Sequence, residues 1–166
     1  MVVVCTAVSA LGQADTLAVD TLIIVEVKAL YSEMDSTLAD SVVSYARLFI
    51  GKPYAYGSTS GKSFDCSGYT QFVFSKHDIQ LARSSSSQAE QCEKIKPRKA
   101  SKGDLIFFTG RNSKSKNVGH VGIVTEVDGD RIRMIHATVH GGVMEEWYND
   151  SDYFRKRMLF VGRIAK

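Results

Sequence analysis

An α+β fold, with helices early in the chain and an antiparallel sheet after them, is what this sequence predicts. Three observations carry that reading: an amphipathic helical pattern around Val42, a second one beginning near Cys66, and four short strand patterns between Asp104 and Ile164. The 166 residues are one domain in size, and a domain of roughly 150 residues buries about 70% of its unfolded surface without disulfides or metal. At 44% hydrophobic and 23% charged, the composition is that of a soluble globule and excludes a disordered or fibrous class.

Taken in order, residues 1–14 (MVVVCTAVSALGQA) are uncharged, largely apolar, and end in small residues of the kind a signal peptidase reads. They read as an export signal, truncated because no basic n-region precedes it, and they are too short to span a bilayer. Residues 15–35 form an N-terminal arm whose TLIIVEV run suits either a strand or a peripheral segment. From Ser36, where the domain proper (36–166) begins, Leu38, Val42, Tyr45, Ala46 and Phe49 recur at helical spacing. Thr37 and Asp40 read as a capping pair at its start, and Gly51 with Pro53 stops it.

A Gly- and Ser-rich loop, 53–63, then delivers the chain to Asp65-Cys66-Ser67-Gly68. Asp65 occupies an N-cap position, and Tyr69, Phe72 and Val73 share one face of the helix that follows. Beyond the polar stretch 84–102, strands are expected at 104–109, 120–127, 131–136 and 158–164, joined as an antiparallel meander. The basic segment 111–117 reads as a hairpin loop.

The cysteines, Cys5, Cys66 and Cys92, are odd in number and lack CxxC spacing, which suggests neither a disulfide framework nor a zinc ribbon and turns attention to a lone reactive thiol. Cys66 suits it, because unpaired N–H groups and the dipole at a helix start favour the thiolate. A base must stand opposite. His120 opens one predicted strand and His136 closes the next, so in a hairpin the second ring can orient the first. His140, in a Gly-rich loop, is the alternative orienting residue, and His77 reads as a surface residue. A lone cysteine is more often inert and buried, and a set of Cys66, His120 and His136 can also be read as three zinc ligands. The net charge of +3 is too mild to imply a nucleic-acid partner.

These residues resemble a known family. Pro53-Tyr54, Phe64-Asp65-Cys66-Ser67-Gly68, Leu81-Ala82-Arg83-Ser84, Gly103-Asp104-Leu105, His120-Val121-Gly122-Ile123 and Ile135-His136-Ala137 follow, in order, the pattern of the NlpC-type cell-wall cysteine peptidases. The resemblance implies a papain-like core in which N-terminal helices pack on a central antiparallel sheet. It implies Cys66 as nucleophile, His120 as base, His136 as orienting residue, and Tyr54 with the Cys66 N–H as oxyanion hole. Asp65 and Arg83 match positions that shape the pocket for the substrate's amino-terminal side.

The activity so implied is cleavage of peptidoglycan stem peptides between γ-D-Glu and the diamino acid, by an exported monomer of the periplasm or cell envelope that needs no cofactor or metal. The same thiol chemistry would serve an amidase or acyltransferase, and a zinc-binding or silent peptide-binding module is the reading from another class. The sequence departs from the family in having Ser58 after Gly57, where a second Gly is usual, and Ala82 where a Pro often precedes the Arg.

Overall fold

In the computed structural model, which describes residues 16–164, the chain opens with one long helix, α1 (Thr16–Arg47). The export signal expected at 1–14 lies outside the described residues. Two compact units meet between Ser36 and Thr37. In the first, the β-branched run is helix and not strand, with Leu22, Ile24, Leu30 and Met34 exposed. β-branched residues cost a helix only tenths of a kcal/mol each, about 0.5 or so, so such a run does not stop one. For the same reason Thr37 and Asp40 cap nothing: they lie inside α1, and Asp40 instead meets Lys102 Nζ at 2.6 Å.

In the second unit, helix α2 (Cys66–Ser75) and the short helix α3 (Ser85–Glu90) precede strand β1 (Cys92–Ile95). Strands β2 (Leu105–Thr109), β3 (Val118–Asp128), β4 (Arg131–Thr138) and β5 (Gly142–Trp147) follow, then a single-turn helix α4 (Asp152–Arg155) and β6 (Met158–Ile164). The sheet is antiparallel in every pairing, with spatial order β1-β6-β2-β3-β4-β5. The four expected strands are present and three of them, β2, β3 and β4, form a meander, but the fourth, β6, pairs with β2 instead of continuing it beside β4. Four of these elements were not expected: α3 and β1, inside the polar stretch 84–102, β5, and α4.

Strand alternation divides the core in two. Leu105, Phe107, Val121, Ile123, Ile135 and Ala137 join Val42, Ala46, Tyr69 and Val73 in a layer between helices and sheet, while Ile106, Phe108, Val124, Met134 and Phe154 form a second cluster. Tyr69 fastens α2 to the end of α1, its buried hydroxyl donating to the Ala46 carbonyl at 2.8 Å. The open edge of β5 is covered: Gly51 N–H donates to Val143 O and Val143 N–H to Lys52 O, each at 2.8 Å. Close approach there requires glycine, because a Cβ on Gly142 would sit 2.2 Å from the Lys52 carbonyl oxygen.

Candidate active site

Each residue of the Asp-Cys-Ser-Gly run has a separate physical task. Asp65, in extended conformation, caps α2, its Oδ1 accepting from the Gly68 N–H at 2.7 Å. Gly68 lets the loop before the helix lie against it, since a Cβ there would stand 2.3 Å from the Ser58 carbonyl oxygen. Cys66 is thereby held as the first residue of the helix, half-buried and free of any disulfide.

Its sulfur lies beside the sheet. The backbone N–H groups of Val121, Ser67 and Cys66 itself turn toward it. Val121 is free to do so because β3 pairs with β4 only from Ile123 onward. Burial pushes the thiol up, the Asp65 carboxylate adds to that, and the three N–H groups only partly offset them. The stabilised thiolate expected at a helix start is therefore not the resting state: desolvation outweighs the amide dipoles.

His120 follows the Gly119 bulge at the head of β3 and immediately precedes Val121, so the amide that meets the sulfur belongs to its neighbour in sequence. Its Nε2 lies 2.8 Å from Nδ1 of His136, and its ring packs against Phe108 and Phe154 at centroid distances of 5.9 and 5.7 Å. Burial first, and His136 second, hold the His120 imidazole well below its ordinary value, so it is neutral at neutral pH. Thiol and imidazole thus each rest neutral. His136 is fully buried on β4, and its Nε2 lies 2.9 Å from Oε1 of Glu146 on β5. Gly122 makes room for it, because a Cβ there would crowd the His136 Cβ at 3.3 Å.

Tyr54 bridges to Phe64 and is half-buried; its phenol is raised by burial and then by the negative charge Cys66 would carry, which places the two within electrostatic reach. Arg83 and Asp65 form a bidentate pair, Nη1 to Oδ1 at 3.0 Å and Nη2 to Oδ2 at 2.6 Å. Asp65 Oδ1 accepts also from Gly68 N–H and Ser67 Oγ, and Oδ2 from Gly57 N–H, so every lone pair of this carboxylate is engaged. Burial acts to raise Asp65, but Arg83 and the two amides prevail and hold it below the usual carboxylate range. Arg83 is the more exposed partner.

Both departures from the family pattern are explained locally. Ser58 Oγ donates to the Ser63 carbonyl at 2.8 Å and so closes the loop that carries Tyr54. Ala82 supplies an N–H that proline lacks, and it donates to Gln91 Oε1 at 2.7 Å. Buried Gln88 completes the join: its Nε2 donates to the carbonyls of Ala82 and Ser67, at 2.8 and 2.9 Å, and its Oε1 accepts from Thr70. The segment carrying Arg83 is thereby fixed to the first turn of α2. Sequence reasoning missed Gln88, hidden in a serine run, and Glu146, on a strand it did not expect.

The remaining histidines stand apart. His140 is exposed in the β4–β5 turn. His77, expected at the surface, is half-buried with its ring edge-on to Tyr45 at 6.0 Å. A zinc reading fails on geometry: His136 spends both ring nitrogens on His120 and Glu146, and no group of three or more His, Cys, Asp or Glu among the described residues is placed to hold a metal.

A helix-borne thiol against an antiparallel sheet that carries a histidine pair defines the papain-like class of folds. The chain belongs to the NlpC/P60 family, whose model matches residues 51–163. It is 35% identical over 148 residues to the gamma-DL-glutamyl hydrolase of Bacillus subtilis (strain 168), covering 87% of this chain and 34% of that one. To the gamma-D-glutamyl-L-lysine dipeptidyl-peptidase of Bacillus cereus (strain ATCC 10987) it is 34% identical over 90 residues, which are 54% of this chain and 27% of the relative. The crystal structure of an NlpC/P60 family protein from Bacillus cereus ATCC 10987 superposes with a TM-score of 0.69 at 29% identity, covering 77% of this chain and 40% of the other. This chain thus spans about a third of the curated relatives it matches.

Proposed function

We propose that this chain is a cysteine endopeptidase that hydrolyses an amide of peptidoglycan stem peptides, of the γ-D-glutamyl-diamino acid type. The observation that carries the reading is a thiol, Cys66, at the start of α2 and beside the Val121 amide, on a sheet where His120, the residue before Val121, pairs its imidazole with that of His136. The Cys66 proton passes to His120, and sulfur attacks the carbonyl carbon. Tyr54 and the Cys66 N–H stabilise the oxyanion; His120 then protonates the leaving amine and activates the water that frees the acyl group. Arg83, held by Asp65, offers its remaining N–H groups to the substrate's amino-terminal side. The names of the relatives, a gamma-DL-glutamyl hydrolase and a gamma-D-glutamyl-L-lysine dipeptidyl-peptidase, support the bond assigned.

Residues 36–166 carry this activity, residues 1–14 direct export to the periplasm or cell envelope, and the enzyme acts as a monomer. No helix among the described residues is long and apolar enough to cross a membrane. The test is mass spectrometry of muropeptides digested by wild type and by Cys66→Ala. A γ-D-glutamyl cleavage product formed by wild type alone is expected; the same product from the variant overturns the mechanism.

A further inference from the structure

We infer that Glu146 is a positioning residue of this site, the fourth member of a line running Cys66, His120, His136, Glu146, and that it sets the tautomer of both histidines. The inference rests on the thiol-hydrolase reading above. Register explains how Glu146 arrives there: His136 on β4 faces Met144 on β5, and Glu146 is two residues further along the same face, within diagonal reach of the ring. A carboxylate only accepts, so its contact with His136 Nε2 at 2.9 Å puts the His136 proton on that nitrogen. His136 Nδ1 is then an acceptor, and His120 must donate to it from Nε2 across 2.8 Å. His120 Nδ1 is left with a lone pair and no proton. That nitrogen is the base.

Without Glu146, His136 is free to carry a proton on Nδ1 and donate it to His120 Nε2, and His120 then holds its own proton on Nδ1 and cannot take that of the thiol. Burial amplifies the effect. His136 is completely buried and Glu146 partly so, with side-chain exposures of 0% and 27%, so the carboxylate acts across a poorly screened 2.9 Å. When the thiol proton moves to His120 Nδ1, the new imidazolium is stabilised through His136 by the Glu146 carboxylate. Asp65 acts on the Cys66 end of this line; at the histidines, Phe108 of β2 and Phe154 of α4 close the flanks with rings.

The test compares Glu146→Gln, which removes the charge but keeps an acceptor, with Glu146→Leu, which removes both. Iodoacetamide alkylation of Cys66, followed across pH on the Cys66 peptide by mass spectrometry, reports the thiol and its base without any substrate. We expect alkylation at neutral pH to slow by about 10-fold in the Leu variant, and muropeptide kcat to fall by about 10- to 100-fold with KM unchanged. The Gln variant, close in shape, guards against a folding defect and is expected to show a smaller loss of the same kind. Wild-type pH profiles and kcat in both variants, even with a lowered Tm, overturn the inference. A wild type whose Cys66 alkylates rapidly but which cleaves no muropeptide refutes the proposed substrate instead, and the alkylation comparison still decides the role of Glu146.

Discussion

The ring nitrogens of His120 and His136 face each other at 2.8 Å across two strands that have already parted, since the β3–β4 ladder ends at the Ile123–Ile135 pair. The same parting frees the Val121 amide for the Cys66 sulfur. One local irregularity therefore serves both the histidine pair and the Cys66 sulfur, and substitutions on either side have different expected consequences.

Cys66→Ala is expected to abolish muropeptide hydrolysis and leave the Tm within a few degrees of wild type, because the side chain is small and half-buried. In the proposed mechanism His136 orients His120 and makes and breaks no covalent bond, so a graded loss of kcat of roughly 100-fold is expected of His136→Ala. Steady-state kinetics on purified muropeptides decide it. Wild-type kcat in His136→Ala would mean that the ring is a packing residue.

The pH dependence of stability follows from His120. Its folded value is depressed, so the unfolded chain binds a proton that the folded chain refuses, and stability rises with pH wherever that holds. The contribution is complete above the unfolded value of about 6.5 and is lost as pH falls through the window below it. Asp65, also depressed, adds a second loss only below its unfolded value of about 3.9. Thermal melts are therefore expected to decline from about pH 6.5 downward, and His120→Gln is expected to delay the decline into the carboxylate range. A wild-type Tm that stays flat down to about pH 5 contradicts the assignment.

Asp65→Ala removes a helix cap and strands a guanidinium, with an expected cost of about 1 to 3 kcal/mol in denaturant unfolding. Arg83→Ala leaves the cap bond to Gly68 in place and should cost less stability. Its expected effect is on KM, raised several-fold with kcat little changed. The reverse pattern, kcat lowered and KM constant, would place Arg83 with the reacting atoms instead of the binding surface.

How much of this was legible in the sequence depended on what each element shows to solvent. The cap at Asp65 was readable because Asp, Cys, Ser and Gly each answer a local backbone demand, and β2 because its five residues are all buried. β1 was not: as an edge strand it exposes Glu93 and Lys94, so alternation is erased. In β5 the pair Glu145 and Glu146 hides the pattern in the same way, although both carboxylates are engaged, Glu145 by Arg47 and Glu146 by His136. α3 is half serine and is held by its cap and by Gln88, whose bonds reach residues 6 and 21 positions away. Such partners are properties of the fold, and no local pattern announces them.

The two site glycines separate stability from activity. At Gly68 an added methyl meets backbone at 2.3 Å, and no side chain can swing aside to admit it. Gly68→Ala must displace the loop carrying Ser58 and, with it, Tyr54, so loss of both Tm and activity is expected. At Gly122 the added methyl meets the His136 Cβ, the Ile135 carbonyl oxygen and the Met134 sulfur, each at 3.3 Å, and a shift of a few tenths of an ångström relieves all three. The stability cost of Gly122→Ala should be small, on the order of 1 kcal/mol. Yet His136 is fixed at hydrogen-bond distance on both sides, so the same small shift lengthens its bond to His120 or to Glu146. A kcat reduced by about 10-fold or more in a protein of near-normal Tm is therefore expected, whereas unchanged kcat would show that the histidine line tolerates displacement and does not depend on the close packing of β3 against β4.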